Sequence, residues 1–279
     1  MESNWIKDVI TKNDIVTALG KLGVKKGMVL EVHSSLRSFG YVVGGAQTVV
    51  DALIEAVGYE GTIVMPLQCS DNTEPSYWEK PPIERQYWQT VRDNMPAFDA
   101  KDSDARCMGK IVENFRRRRG VYCSYHPSCA FVAYGKYAKL ICSRHELNYS
   151  LSKRSPLGQM LKLKPYVLLL GVSYDNCTGM HLAEYESNVR PIILQGGSIE
   201  TDTGKQWVKY LDIDLNSDEF MHPGKLMEEK GLVKKMTIGH SECRLFPLKT
   251  AILSLLGKPT LQRMKTIAQV SSVTSAAAL

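Results

Sequence analysis

The stretch Met28–Pro66, MVLEVHSSLRSFGYVVGGAQTVVDALIEAVGYEGTIVMP, decides the fold class. Met28–Val32 is a short apolar run of strand length. Ala46–Val57 carries its apolar residues at helical spacing, and Gly61–Pro66 is a second apolar run. Strand, loop, helix, strand is a βαβ unit. Its two strands pair in parallel, and such a sheet needs helices over its faces. Working outward, Asn13–Leu22 reads as a capped helix ending near Gly23, and Met108–Arg118 as another helix. Cys129–Ala133 and Tyr166–Val172 read as strands, and Gln206–Leu215 alternates like a half-buried antiparallel strand. The expected fold is α/β, with a mixed, partly parallel central sheet flanked by helices. Between Gln68 and Asp104 the chain is rich in Pro, Trp, Tyr and acids and periodic in nothing, which marks a long functional loop. The 279 residues suit one domain over 1–279, with a small, polar tail over 270–279 that should fray.

Composition narrows the class. Hydrophobic residues make up 44% and charged residues 23%, which are globular values. No apolar segment reaches membrane-span length, and the start MESNWIKDVITKND has no signal-peptide core, so the expected location is the cytoplasm. Seven cysteines without CxxC spacing fit free thiols in a reducing compartment. The formal charge of +6 comes partly from the RRRR run at Arg116–Arg119. Without interleaved aromatics or a groove-reading motif, it argues for a solvated face or a phosphate-bearing ligand rather than nucleic acid.

Four stretches have chemical content. Val32–Gly45, VHSSLRSFGYVVGG, joins a strand to a helix start with hydroxyls, one arginine and paired glycines, a seat for phosphate or an ordinary serine-rich turn. Arg106–Gly120 is an amphipathic helix whose arginines are solvated or hold a second phosphate. The aromatic and acidic loop offers what a polycationic, sugar-like ligand wants, or is a surface loop pinned by its own rings. Finally, GVSYDNCTGMHLAE at Gly171–Glu184 follows a strand and opens a helix with His181, where open α/β sheets place ligands. Glu184 and Tyr185 lie one turn on, and the helix start favours a neutral ring able to act as a base. His126, in YHPSC, is held in reserve.

Taken in order, HSSLRSFGYVVGG, TIVMP, PSYWEKPP, MPAFD, MGKIVENFRRRRG, YHPSCAFVAYG, SPLG and LLLGVSYDNCTGMHLAEY resemble the aminoglycoside 3-N-acetyltransferase family from about Val29 to Asp214. The resemblance implies an acetyl-CoA-dependent N-acyltransferase with its own α/β fold and long active-site loops, distinct from the GNAT acetyltransferases. It implies CoA at Ser34, Ser35, Leu36, Arg37, Ser38 and Phe39, with His33, Met108 and Ile111 beside them. His181 becomes the base, with Thr178 and Glu184 in its loop and helix. A carboxylate from a later strand supports it, either Asp212 or Asp214. The amine side falls to Asp71, Tyr77, Trp78, Asp99, Glu113 and Asp175. No metal is implied, and the assembly is left open to a homodimer. These acidic loops are sparser than a dedicated polycation binder calls for, and the chain as a whole is basic.

The expected reaction is direct attack of an amino-sugar amine on acetyl-CoA, with His181 as base and Thr178 or a backbone N–H as oxyanion donor. Two rivals stand beside it. Cys177 could be a nucleophile activated by His181, or the chain could be a CoA-binding protein of the same fold with little or no aminoglycoside activity, acting on another amine or transferring nothing.

Overall fold

The computed structural model describes Ile6 and residues 8 to 257, so the tail expected to fray lies outside the described residues. In chain order the elements are β1 (Val9–Ile10), α1 (Lys12–Leu22), β2 (Val29–Ser34), β3 (Tyr41–Val42), α2 (Gly45–Val57) and β4 (Thr62–Gln68). Then come α3 (Trp88–Asn94), α4 (Gly109–Arg116), β5 (Tyr122–Cys123), β6 (Cys129–Gly135), α5 (Ala138–Cys142), α6 (Pro156–Leu161) and β7 (Tyr166–Leu170). The chain continues through α7 (His181–Ser187), β8 (Ile192–Thr201), β9 (Gly204–Ile213), α8 (Met221–Glu229), β10 (Lys234–Ile238), β11 (Ser241–Pro247) and α9 (Leu248–Leu256).

The main sheet has the order β10-β11-β7-β2-β4-β6-β5. Its centre is parallel: β2 pairs with β4 from Val29↔Thr62 and with β7 from Leu30↔Tyr166. The flanking pairs β4–β6, β6–β5, β7–β11 and β11–β10 are antiparallel. The expected mixed, partly parallel sheet is therefore present. Strand alternation divides the core between two faces. Leu30, Val32, Ile63, Met65, Leu168 and Leu170 pack with α1, α2 and α4 on one side. Val29, Val64, Val167 and Leu169 pack with α5, α6, α7 and α9 on the other. Two polar residues, Glu31 and His33, share the parity of Val29 and are buried on that second face. Among the described residues no helix is long and apolar enough to cross a membrane.

Because β2, β4 and β7 run the same way, their C-terminal ends meet at one edge of the sheet. The serine loop, the long aromatic and acidic loop and the turn before His181 leave from that edge. The serine loop follows β2 and is anchored by Phe39, whose ring is fully buried. Gly171 ends β7 at φ +67°, where a Cβ would sit 1.7 Å from Ser38 Oγ, so only glycine lets the two loops touch there.

The long loop after β4 is more ordered than its composition suggested. It contains α3, and it is clamped to the β8–β9 hairpin, which stands apart from the main sheet. Asn72 spans the junction, accepting from Ser198 N at 2.7 Å and donating to Ser198 O at 2.9 Å. The backbone N–H of Phe98 also donates to Ser198 O, and that of Glu74 donates to Gln195 Oε1.

His126, the reserve candidate, is structural. Its Nδ1 accepts from the backbone N–H of Cys129 (3.0 Å) and Ser128 (3.3 Å), so the proton sits on Nε2, which donates to Leu147 O. The ring stacks on His145 at 4.7 Å between centroids. Burial, then the neighbouring His145, push His126 down to about 3, and burial pushes His145 down to about 4. Both are neutral at working pH.

Two tests follow from this packing. Phe39→Ala removes a fully buried ring and should cost about 3–5 kcal/mol in urea unfolding; a loss below about 1 kcal/mol would mean the loop is not anchored there. The histidine pair predicts acid sensitivity. Unfolded histidine binds protons near its ordinary value of 6.5, while the folded rings resist until about 4 and 3. The stability of the neutral rings is complete above that unfolded value and is lost as pH falls through it toward 4. Unfolding free energy should drop by up to about 1.4 kcal/mol per pH unit per ring, and His126→Gln should flatten the slope. Stability that stays level down to pH about 5 would contradict this.

Candidate active site

After Gly171 two short 3-10 turns, Tyr174–Asn176 and Thr178–Met180, lead into α7, whose first residue is His181. Three residues on along the same helix, Glu184 reaches back so that its Oε2 accepts from His181 Nδ1. The other carboxylate oxygen accepts from Arg190 Nε at 2.7 Å and from the backbone N–H of Asn216 at 3.1 Å. Glu184 is 4% exposed and His181 8%, with the Phe220 ring 4.8 Å from the imidazole. Nδ1 donates to the carboxylate, so Nε2 carries the lone pair. It makes no hydrogen bond among the described residues.

That ring stands where two cavities meet. The smaller, of about 180 Å³, is lined by His33, Ser34, Met108, Val112, Thr178 and His181 among others. The larger is a cleft of about 1630 Å³ between the long loop and the hairpin. His181, Gln68 and Ser217 border both. Seven carboxyl side chains line the cleft (Asp71, Glu79, Asp99, Asp102, Asp104, Asp212 and Asp214), against one lysine, Lys80. Tyr77 and Trp78 supply aromatic surface, with Trp78 Nε1 donating to Thr73 Oγ1 at 2.8 Å. The Asp99 carboxyl is held below the usual range by the backbone N–H groups of Lys101 and Asp102. The acids that look sparse along the chain are thus gathered in space, and a basic protein carries a locally acidic cleft.

The structure redistributes several expected roles. Neither Asp212 nor Asp214 is hydrogen-bonded to His181; the carboxylate there is Glu184. Asp212 accepts from the Tyr185 hydroxyl and from the backbone N–H of Ser150, which ties the hairpin to α7, while Asp214 is exposed at the cleft wall. On the cofactor side, His33, Ser34 and Met108 line the small cavity, and Arg37 is exposed. Ser34 Oγ is buried without a hydrogen-bond partner among the described residues, a polar group suited to a ligand. Phe39 and Ile111 are core residues, and Leu36 packs against that core, because the apolar face of the loop and of α4 must be covered. The Ser38 hydroxyl is spent on Ser35 O and Ser241, and Ser35 N donates to Leu170 O.

On the amine side, Asp71, Tyr77, Trp78 and Asp99 line the cleft as expected. Glu113 does not: it pairs with Arg116 at 2.9 Å and Arg117 at 3.4 Å. Asp175 borders the small cavity and accepts from Ser173 and Asn176. Two arginines of the run are braces, while Arg117 and Arg119 are exposed. Arg116 is buried and donates to Ser103 O at 2.7 Å, and Arg118 pairs with Asp51 on α2. Asp102 and Asp104 were not singled out in the sequence, although KDSD at 101–104 closes the loop marked there.

Cys177 is fully buried, and burial followed by the nearby Glu31 pushes its thiol well above the ordinary value. An activated nucleophile needs the reverse, a stabilised thiolate.

The chain resembles known proteins over most of its length. The family model for aminoglycoside 3-N-acetyltransferases matches residues 32–255. The SPbeta prophage-derived aminoglycoside N(3')-acetyltransferase-like protein YokD of Bacillus subtilis (strain 168) is 40% identical over 243 residues, 87% of this chain and 89% of its own. Its crystal structure superposes with a TM-score of 0.87, covering 90% of this chain and 93% of that one. The aminoglycoside acetyltransferase AAC(3)-IVa, in a complex with a gentamicin, is 29% identical with a TM-score of 0.77, over 91% of this chain and 90% of that one. The chain belongs to the aminoglycoside 3-N-acetyltransferase family.

Proposed function

We propose that the protein transfers an acetyl group from acetyl-CoA to a primary amine of a polycationic amino sugar, the 3-amino group of an aminoglycoside being the type substrate. The observation that carries this reading is the position of His181 at the junction of an acidic cleft and a small, largely uncharged cavity. Acetyl-CoA, the second substrate, supplies the acetyl group and leaves as the thiolate.

Each residue has a task set by its place. The cleft carboxylates hold the ammonium groups that do not react, orienting the sugar. His181 Nε2 takes the proton from the attacking amine as the new C–N bond forms. Glu184 stabilises the imidazolium through Nδ1, and Arg190 with the Asn216 N–H keeps the carboxylate in register. Thr178, buried at the wall of the small cavity, donates to the oxyanion before the C–S bond breaks. Ser34, on the small cavity, and Arg37, exposed on the same loop, serve the CoA side. Free thiols at all seven cysteines are in keeping with a cytoplasmic enzyme.

The test is kinetic. His181→Ala should lower kcat about 10²–10⁴-fold, and Glu184→Gln should lower it as well, with acetyl-CoA affinity nearly unchanged in both. A His181→Ala protein that loses acetyl-CoA binding along with turnover would make the ring structural. Intact mass after mixing with acetyl-CoA alone should be unchanged, and an acetyl adduct there would restore the cysteine route.

A further inference from the structure

Behind the wall of the small cavity, Glu31 and Cys177, which the acetyl-transfer reading does not use, meet His33 of that wall. Glu31 and His33 sit two apart on β2, so they point to the same face, and Cys177 approaches from the loop after β7. Their exposures are 0%, 6% and 0%, and their donor atoms all lie within 4.8 Å of one another. Both oxygens of Glu31 and Nε2 of His33 are buried with no hydrogen-bond partner among the described residues. His33 Nε2 is 3.2 Å from Glu31 Oε1, near enough for an ion pair, yet it lacks the direction of a hydrogen bond.

A carboxylate in this state is expensive. Buried oxygens without hydrogen bonds cost free energy, and such groups survive burial by pairing or by binding a cation. The turn makes room for it through a glycine: a Cβ on Gly179 would lie 2.2 Å from Glu31 Oε2. One imidazole nitrogen, one sulfur and one carboxylate form the mixed donor set that zinc takes, whereas magnesium and calcium prefer oxygen alone. His33 also borders the small cavity, which gives an ion a way in.

We propose that Glu31, His33 and Cys177 form a binding site for a divalent cation of borderline softness, zinc first. Binding exchanges the Cys177 S–H bond for a sulfur–metal bond and releases that proton to solvent. The ion joins β2, the serine loop's root, to the turn that carries Thr178 and His181. It stands independently of the proposed acetyl transfer, and the test reads metal rather than turnover.

The full chain is used, with the exposed Cys107 replaced by serine throughout to remove adventitious thiol binding. After equilibration with Zn²⁺ and desalting, the folded protein should retain about one zinc per chain. Co²⁺ in its place should give a thiolate-to-cobalt charge-transfer band in the near ultraviolet, with visible bands of tetrahedral intensity. Cys177→Ser should abolish the charge-transfer band. Glu31→Gln, close to isosteric, should weaken Co²⁺ binding roughly 10–100-fold, and it carries the test alone if the serine variant fails to fold. A folded chain that retains no zinc overturns the proposal. So does a cobalt spectrum unchanged by either substitution. A metal-free chain whose melting temperature rises on Glu31→Gln would show instead a buried acid held neutral.

Discussion

The carboxylate of Glu184 is the contact on which the rest of the site depends. One oxygen holds His181 Nδ1, and the other gathers Arg190 from before the hairpin and the Asn216 N–H from after it. A single buried acid thus fixes a ring on α7 against the open end of the β8–β9 ribbon, where its two strands begin and finish. The ribbon in turn carries the long loop through Asn72 and Ser198. Position of the base and shape of the acidic cleft are therefore one mechanical problem. A buried carboxylate is tolerated here because each of its oxygens accepts from at least one donor.

The same chain shows how environment divides like residues. His126 and His145 are buried against each other and against backbone groups, and they are held neutral. His181 has a carboxylate on one nitrogen and open space at the other. Charge is divided in the same way. The arginine run looks like an anion site in a linear reading, but Arg116 and Arg118 spend their donors bracing α4 against the long loop and α2. The carboxylates, scattered through the sequence, converge on one cleft.

The fold was legible because its signals are local. Apolar runs and helical spacing over Met28–Pro66 define a βαβ unit, and β2, β4 and α2 lie within two residues of the expected bounds. His181 was legible for a related reason: a polar loop at a strand end, opening a helix, has few other uses. The partner of His181 was harder to see. Alternation in YLDID drew attention to Asp212 and Asp214, but which acid meets a ring depends on where the hairpin docks, a long-range fact. Glu184, three residues on along α7, was within the marked motif without being singled out as the partner. Phe39 and Ile111 illustrate the converse, since apolar residues inside a ligand-binding stretch serve the core first. Glu113 was lost to the arginines on its own helix.

The central claim is that a polycationic amine reaches the junction at His181 through the acidic cleft. The most direct measurement is thiol release from acetyl-CoA across amines graded by positive charge, from monoamines to aminoglycosides, at low and high salt. The account predicts that kcat/KM rises steeply with the number of ammonium groups and falls as salt screens the cleft. Thiol release indifferent to amine charge and to salt, or confined to uncharged acceptors, would contradict it.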